Sequence, residues 1–151
     1  MSLELVERFD PAIIERIVSE PDIWERCNQG VEDFKPVELP TERWLLCYAK
    51  EGVIGAWWLK SRSFQMAEVH PMILPEYRQQ YSRRSEELMC QWLRDHTKAQ
   101  KAVAEIPVIY KDVLAFATRQ GWQREGMFKQ AASIGGKLID VQIMGKNLWA
   151  A

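Results

Sequence analysis

Glu68 and His70 stand two residues apart in "QMAEVHPMIL", a stretch whose apolar content and flanking turn residues predict a strand. Alternation along a strand places both side chains on one face of a sheet. A carboxylate beside an imidazole strengthens that imidazole as a proton acceptor near neutral pH, so the pair is a candidate for general-base chemistry. Either Glu68 or His70 is the candidate base, and Glu105 in "KAVAEIPV" is a third candidate on a separate strand. A histidine before proline at a strand end is also a common structural residue, hydrogen-bonded and silent.

A second cluster lies in "PEYRQQYSRRSEEL", where a turn runs into a helix. Arg78, Arg83 and Arg84 crowd the N-terminal end of that helix, and there each cation opposes the helix dipole by about 0.3–1 kcal/mol. An anion bound at this place relieves the conflict; alternatively, the arginines extend into water. Neither histidine nor cysteine falls at metal-ligand spacing, so no metal site is expected.

The elements that must position these residues follow from hydrophobic period and turn chemistry. Asp10-Pro11 opens a helix to about Ser19, with Ile13, Ile14, Ile17 and Val18 on one face. A short second helix follows, capped by Ser19 with Asp22 three residues on, and fades near Asn28-Gln29-Gly30. The proline- and acid-rich stretch 31–42 reads as a loop. Three strands follow as an antiparallel meander, with turns at Lys50-Glu51-Gly52 and Ser61-Arg62-Ser63. Leu88, Met89, Trp92 and Leu93 mark a helix within 82–96, "KAVAEIPV" a strand, and 110–122 a helix with Gly121 as its C-cap. The tail folds as a hairpin across Gly135-Gly136. The order α, α, β, β, β, α, β, α, β, β requires a parallel strand pair in the middle of an otherwise antiparallel sheet, with helices on both faces: a mixed α/β (α+β) fold.

Composition bounds the rest. A chain of 151 residues, 47% hydrophobic, holds one core, so 1–151 is expected to be a single domain. A net charge of −1 without basic runs argues against nucleic acid as a partner. Three scattered cysteines, Cys27, Cys47 and Cys90, suit reduced, buried thiols in a cytoplasmic compartment. With acids at the start and no apolar run of about 20 residues, no membrane span is expected. The seven tryptophans include Trp57-Trp58, one on each face of its strand. Core packing is their default role, with an exposed tryptophan as the route to a homo-oligomer or another partner.

The element order, with "LPEYRQQYSRRSEELMCQWL" and "IYKDVLAFATRQGWQREG", resembles the GNAT superfamily of acyl-CoA-dependent N-acyltransferases. The resemblance implies a splayed strand pair that brings Glu105 beside Glu68 and His70. It also implies acetyl-CoA as cofactor and an amine as acyl acceptor. Its pyrophosphate loop falls on Arg78, Gln79, Tyr81, Ser82, Arg83 and Arg84, with Tyr81 and Arg83 standing where the family has glycines. "FATRQGW" is similar to the family's Leu-Tyr-Glu-Lys-x-Gly-Phe segment. Ala117 replaces the tyrosine that protonates the departing thiolate in many members, and Tyr110 replaces an asparagine. Tyr81 or Tyr110 is then the substitute donor. Divergent proteins of this kind resemble ones carried by tailed bacteriophages, some of them head-assembly or virion components. That likeness offers a second expectation: a non-enzymatic GNAT-like binding module, in host cytoplasm or virion, with Tyr81 partly filling the cleft.

Overall fold

A computed structural model describes residues 2–149. Helix α1 spans Pro11–Val18 and starts as its sequence demands, with the Asp10 carboxylate accepting from the Ile13 amide at 3.2 Å. Helix α2 spans Pro21–Cys27, but its cap is Glu20, which accepts from the Ile23 amide at 3.0 Å; Ser19 instead closes α1. Proline at the first helical position of α2 shifts the cap one residue on from the expected Ser19.

Seven strands form one sheet. They are β1 (Leu3–Glu7), β2 (Glu42–Ala49), β3 (Gly52–Ser63), β4 (Met66–Ile73), β5 (Lys101–Pro107), β6 (Gln123–Ile134) and β7 (Lys137–Asn147), in the order β1-β2-β3-β4-β5-β7-β6. This is the mixed, mostly antiparallel sheet expected, with β4 and β5 as its parallel pair. Strand β1 was not expected. Its short alternation, "LELVE", pairs antiparallel with β2 and gains stability from that neighbour rather than from its own propensity.

The two-residue period sorts the core into two layers. Ile14, Ile17 and Ile23 of α1 and α2 pack on Trp44, Leu46, Ala56 and Met72, with Trp58 at the edge of the same layer. On the opposite face, α3 (Arg78–His96) lays Tyr81, Met89 and Leu93 against Leu45, Trp57 and Leu59; Ala117 of α4 (Lys111–Arg119) joins them. Trp57 and Trp58 therefore do serve opposite faces. A short 3₁₀ turn at Pro75–Tyr77 leads directly into α3, which begins four residues ahead of the expected start. Gly135 and Gly136 turn the last hairpin with positive φ angles of 58° and 76°.

Strand β3 runs through Ser61-Arg62-Ser63, where a turn was expected, and turns only at Phe64-Gln65. Arg62 is consequently a strand residue. Among the described residues, no helix is long and apolar enough to cross a membrane.

One backbone approach is tight enough to test. A Cβ on Gly55 would lie 2.5 Å from the Met72 carbonyl oxygen and 2.7 Å from the Ile73 Cα. Gly55→Ala should cost about 3 kcal/mol by forcing β3 from β4. Urea denaturation should show a lowered midpoint, and an unchanged midpoint would contradict the packing described.

Candidate functional site

Pairing between β4 and β5 is brief: Met66 with Lys101, Ala67 with Ala102 and Glu68 with Val103. Beyond Glu68 the two strands part, β4 staying with β3 as far as Ile73 and β5 staying with β7 as far as Pro107. The facing edges of β4 and β5 are left unpaired with each other, and a cleft of about 570 Å³ opens between them.

The cleft passes through the plane of the sheet. Val69 and Ile73 face the layer under α3, while His70 and Met72 face α1 and α2, and all four line the cleft. Its walls come from α2 (Ile23, Arg26, Cys27), the start of α3 (Arg78, Gln79, Ser82) and α4 (Val113, Phe116). Two compartments on opposite faces thus meet at the gap between strands.

At the closed end, Glu68, His70 and Glu105 come together as expected, with an addition. The His70 Nε2 hydrogen-bonds the Glu68 carboxylate, whose other oxygen accepts from Arg62 Nε; the second arm of Arg62 donates to Glu105. His70 and Glu105 line the cleft, whereas Glu68 sits behind them, 7% exposed. The His70 hydrogen bond, with Arg62 adding to it, holds the Glu68 carboxyl at about 2 against the opposing effect of burial. An ionised carboxylate only accepts hydrogen bonds, so His70 Nε2 carries the proton in this contact, and Nδ1 is the nitrogen left to exchange one. His70 also packs on Trp58, with ring centroids 5.3 Å apart.

The phosphate-loop residues divide. Gln79 and Ser82 line the cleft. Arg78 lines it too, but its guanidinium is engaged: Nε donates to the Ile73 carbonyl at 2.9 Å and the other end meets Asp22 at 2.6 Å. Arg83 stands at the rim with an 81% exposed side chain, 3.5 Å from Glu87. Arg84 pairs with the same carboxylate at 3.7 Å and does not line the cleft, contrary to expectation. Carboxylates from α2 and α3 therefore relieve part of the dipole conflict that the sequence raised.

Tyr81 is the second correction. Its ring is 1% exposed within the core under α3, and its hydroxyl donates to Glu51 at 2.8 Å. It neither contacts the cleft nor blocks it. The large side chain where a glycine was expected turns away because α3 has already begun at Arg78, and position 81 falls on its inward stripe.

Tyr110 lines the cleft as expected, with Arg26 over its ring at 4.4 Å. Its hydroxyl is buried and has no hydrogen-bond partner among the described residues. Burial pushes the phenol up, so it carries its proton throughout the neutral range.

The arrangement fits an acyl-CoA on three counts. The cleft is open, no side chain caps the start of α3 beside it, and Tyr110, whose buried hydroxyl has no partner among the described residues, contributes to its lining.

Several residues escaped the sequence reading. Arg62 was hidden by the expected turn, since "KSRS" is polar throughout and carries no apolar alternation that would signal a strand. Glu86 carried no signal, lying among the charges of "RRSEEL". It is 1% exposed at the cleft wall and accepts from Lys146 at 2.6 Å, Gln120 at 2.9 Å and Trp122 at 3.2 Å. That set pins α3 to the turn after α4 and to β7.

The chain matches the family described as "Protein of unknown function (DUF2824)" over residues 29–145. No curated protein matches it. Among solved structures, it superposes on a spermidine N-acetyltransferase from Vibrio cholerae in complex with CoA and spermine. The TM-score is 0.80 at 18% identity, covering 97% of this chain and 95% of that one. An N-acetyltransferase from Staphylococcus aureus Mu50 gives 0.78 at 15% identity, covering 99% of this chain and all 100% of that one. At such identities the likeness shows the fold, which is that of the GNAT N-acetyltransferases.

Glu68 yields a pH test. Its carboxyl is depressed in the folded state, so its stabilisation is present above the unfolded value of about 4.3 and is lost as pH falls towards 2. The stability gap between the parent and Glu68→Gln, from urea titrations, should narrow as pH drops from about 5 to about 2. A gap constant across that window would show that the carboxylate is not held as described.

Proposed function

Since the chain belongs to the DUF2824 family and carries the GNAT fold, we propose that it is an acyl-CoA-dependent N-acyltransferase that acetylates an amine. The observation that carries the reading is the open cleft between β4 and β5, which joins a compartment under α3 and α4 to one under α1 and α2. Acetyl-CoA would supply the activated acyl group, with Gln79, Ser82 and the rim residue Arg83 proposed to hold it beside the start of α3.

The residues divide the proton work. His70 is proposed as the base, because it faces the cleft while Glu68 stands behind it as orienting carboxylate. Its Nδ1 lone pair receives a proton from the acceptor ammonium or amine. Glu105, on the opposite wall, favours a cationic acceptor at the closed end. Tyr110 holds a proton on a buried, unpartnered oxygen and is the proposed donor within the cleft, the role for which Tyr81 is misplaced. The acceptors of the Vibrio cholerae relative, spermidine and spermine, are the natural first amines to try.

The competing reading is a non-enzymatic GNAT-like module, for example a bacteriophage head-assembly or virion component, docking through Trp149, the indole left 56% exposed. Calorimetric titration with acetyl-CoA separates the two. Binding in the micromolar range is expected, and His70→Ala should then lower acetyl transfer by about 10²–10⁴-fold with acetyl-CoA affinity retained. No heat at millimolar acetyl-CoA would overturn the transferase reading and favour the module.

A further inference from the structure

Arg62 joins three strands at the one place where the sheet stops being continuous. It belongs to β3, and its guanidinium donates through Nε to Glu68 of β4 and through a terminal nitrogen to Glu105 of β5. Glu68 is the last β4 residue paired with β5, and Glu105 lies two residues past its partner Val103. Two carboxylates facing each other across the apex repel unless a cation stands between them. The planar fork of arginine holds its donors in fixed directions and suits two such acceptors at once better than the rotating donors of an ammonium.

Other charges near Glu68 do not replace it. Lys60 is directly across from Glu68 in the β3 to β4 register, but its ammonium sits over the Trp58 ring at 4.0 Å. His70 takes one oxygen of Glu68, and Glu105 adds negative charge. Arg62 is thus the permanent cation on a carboxylate whose side chain is 9% exposed, and burial makes an uncompensated charge there costly. The Arg62 side chain itself is 44% exposed, so a polar replacement leaves no cavity in the core.

We propose that Arg62 is a positioning residue of this site: by straddling Glu68 and Glu105 at the apex, it locks the Glu68 carboxylate onto His70 and so aims the imidazole at the acceptor. The proposal rests on His70 serving as base in the transferase. It assigns Arg62 no contact with either substrate. Losing the guanidinium frees Glu68 to rotate and lets the two carboxylates separate, which leaves the imidazole without a fixed tautomer or direction.

The test uses the full chain and two readouts on Arg62→Gln and Arg62→Lys. Carbon-detected NMR of the Glu68 side-chain carboxyl, without any ligand, should show its titration midpoint rising by about one pH unit or more in Arg62→Gln. Arg62→Lys, which keeps the charge, should return the midpoint towards that of the parent. In turnover assays, Arg62→Gln should lower kcat by about 10–100-fold with acetyl-CoA affinity unchanged, and Arg62→Lys should recover part of the loss. An unmoved Glu68 midpoint, or an unmoved kcat, in folded Arg62→Gln overturns the proposal. A parent chain that fails to bind acetyl-CoA defeats the transferase reading instead, an outcome the calorimetric titration identifies on its own.

Discussion

Parallel pairing between β4 and β5 stops after three residue pairs, and from there each strand is held only by its outer neighbour, β3 on one side and β7 on the other. A continuous sheet would have satisfied the inner edges of both strands. Their separation leaves backbone groups facing a cleft, and it is sustained because β3 and the β6 to β7 hairpin hold the two halves of the sheet independently. Helices α3 and α4, each following one of the parting strands, then stand on either side of the opening. Every candidate site residue acquires its meaning from its distance to that divergence.

Charges buried along the cleft keep its walls in place. Glu68 at the closed end and Glu86 midway along α3 are both carboxylates removed from water, and each is surrounded by donors. Removing the donors from such a group costs more than its hydrogen bonds contribute, so these clusters specify geometry more than they add stability. Farther out, Asp22 holds Arg78 while Arg26 reaches towards Asp22 at 3.2 Å and Asp112 at 3.8 Å. Helix α2 is thereby tied by charge to the starts of both α3 and α4. At the arginine-rich entry to α3, Asp22 offsets Arg78 and Glu87 is shared by Arg83 and Arg84, so two carboxylates offset part of the charge of three cations at a helix N-terminus.

Much of the fold was legible because the residues that set it act locally. Asp10-Pro11, Gly135-Gly136 and the alternation across Trp57-Trp58 each declare their conformation within a few positions. The element order supplied the parallel pair and the family resemblance its splay, which put Glu68, His70 and Glu105 near one another. What stayed hidden depended on distant partners. Strand β1 exists because β2 offers an edge, and Ser61-Arg62-Ser63, with turn-like residue types, remains extended because β4 runs alongside. Tyr81 looked like an obstruction in the phosphate loop. Its true direction depended on the helix phase, and moving the start of α3 back to Arg78 turned the ring into the core. Arg84 was grouped with Arg78 by charge and by the loop resemblance, but the phase of α3 turns it off the cleft wall, which Arg83 and Glu86 on either side of it do line.

The central claim is that the gap between β4 and β5 is where this chain takes its ligand. Hydrogen–deuterium exchange with and without acetyl-CoA measures this directly at the backbone. The account predicts slower exchange on ligand addition in stretches 69–73 and 104–107, where β4 and β5 no longer pair with each other, and at the start of α3, with β1 and β2 unaffected. Unchanged exchange in those stretches, with protection confined to the far end of the sheet around Gln100 and Trp149, would contradict it.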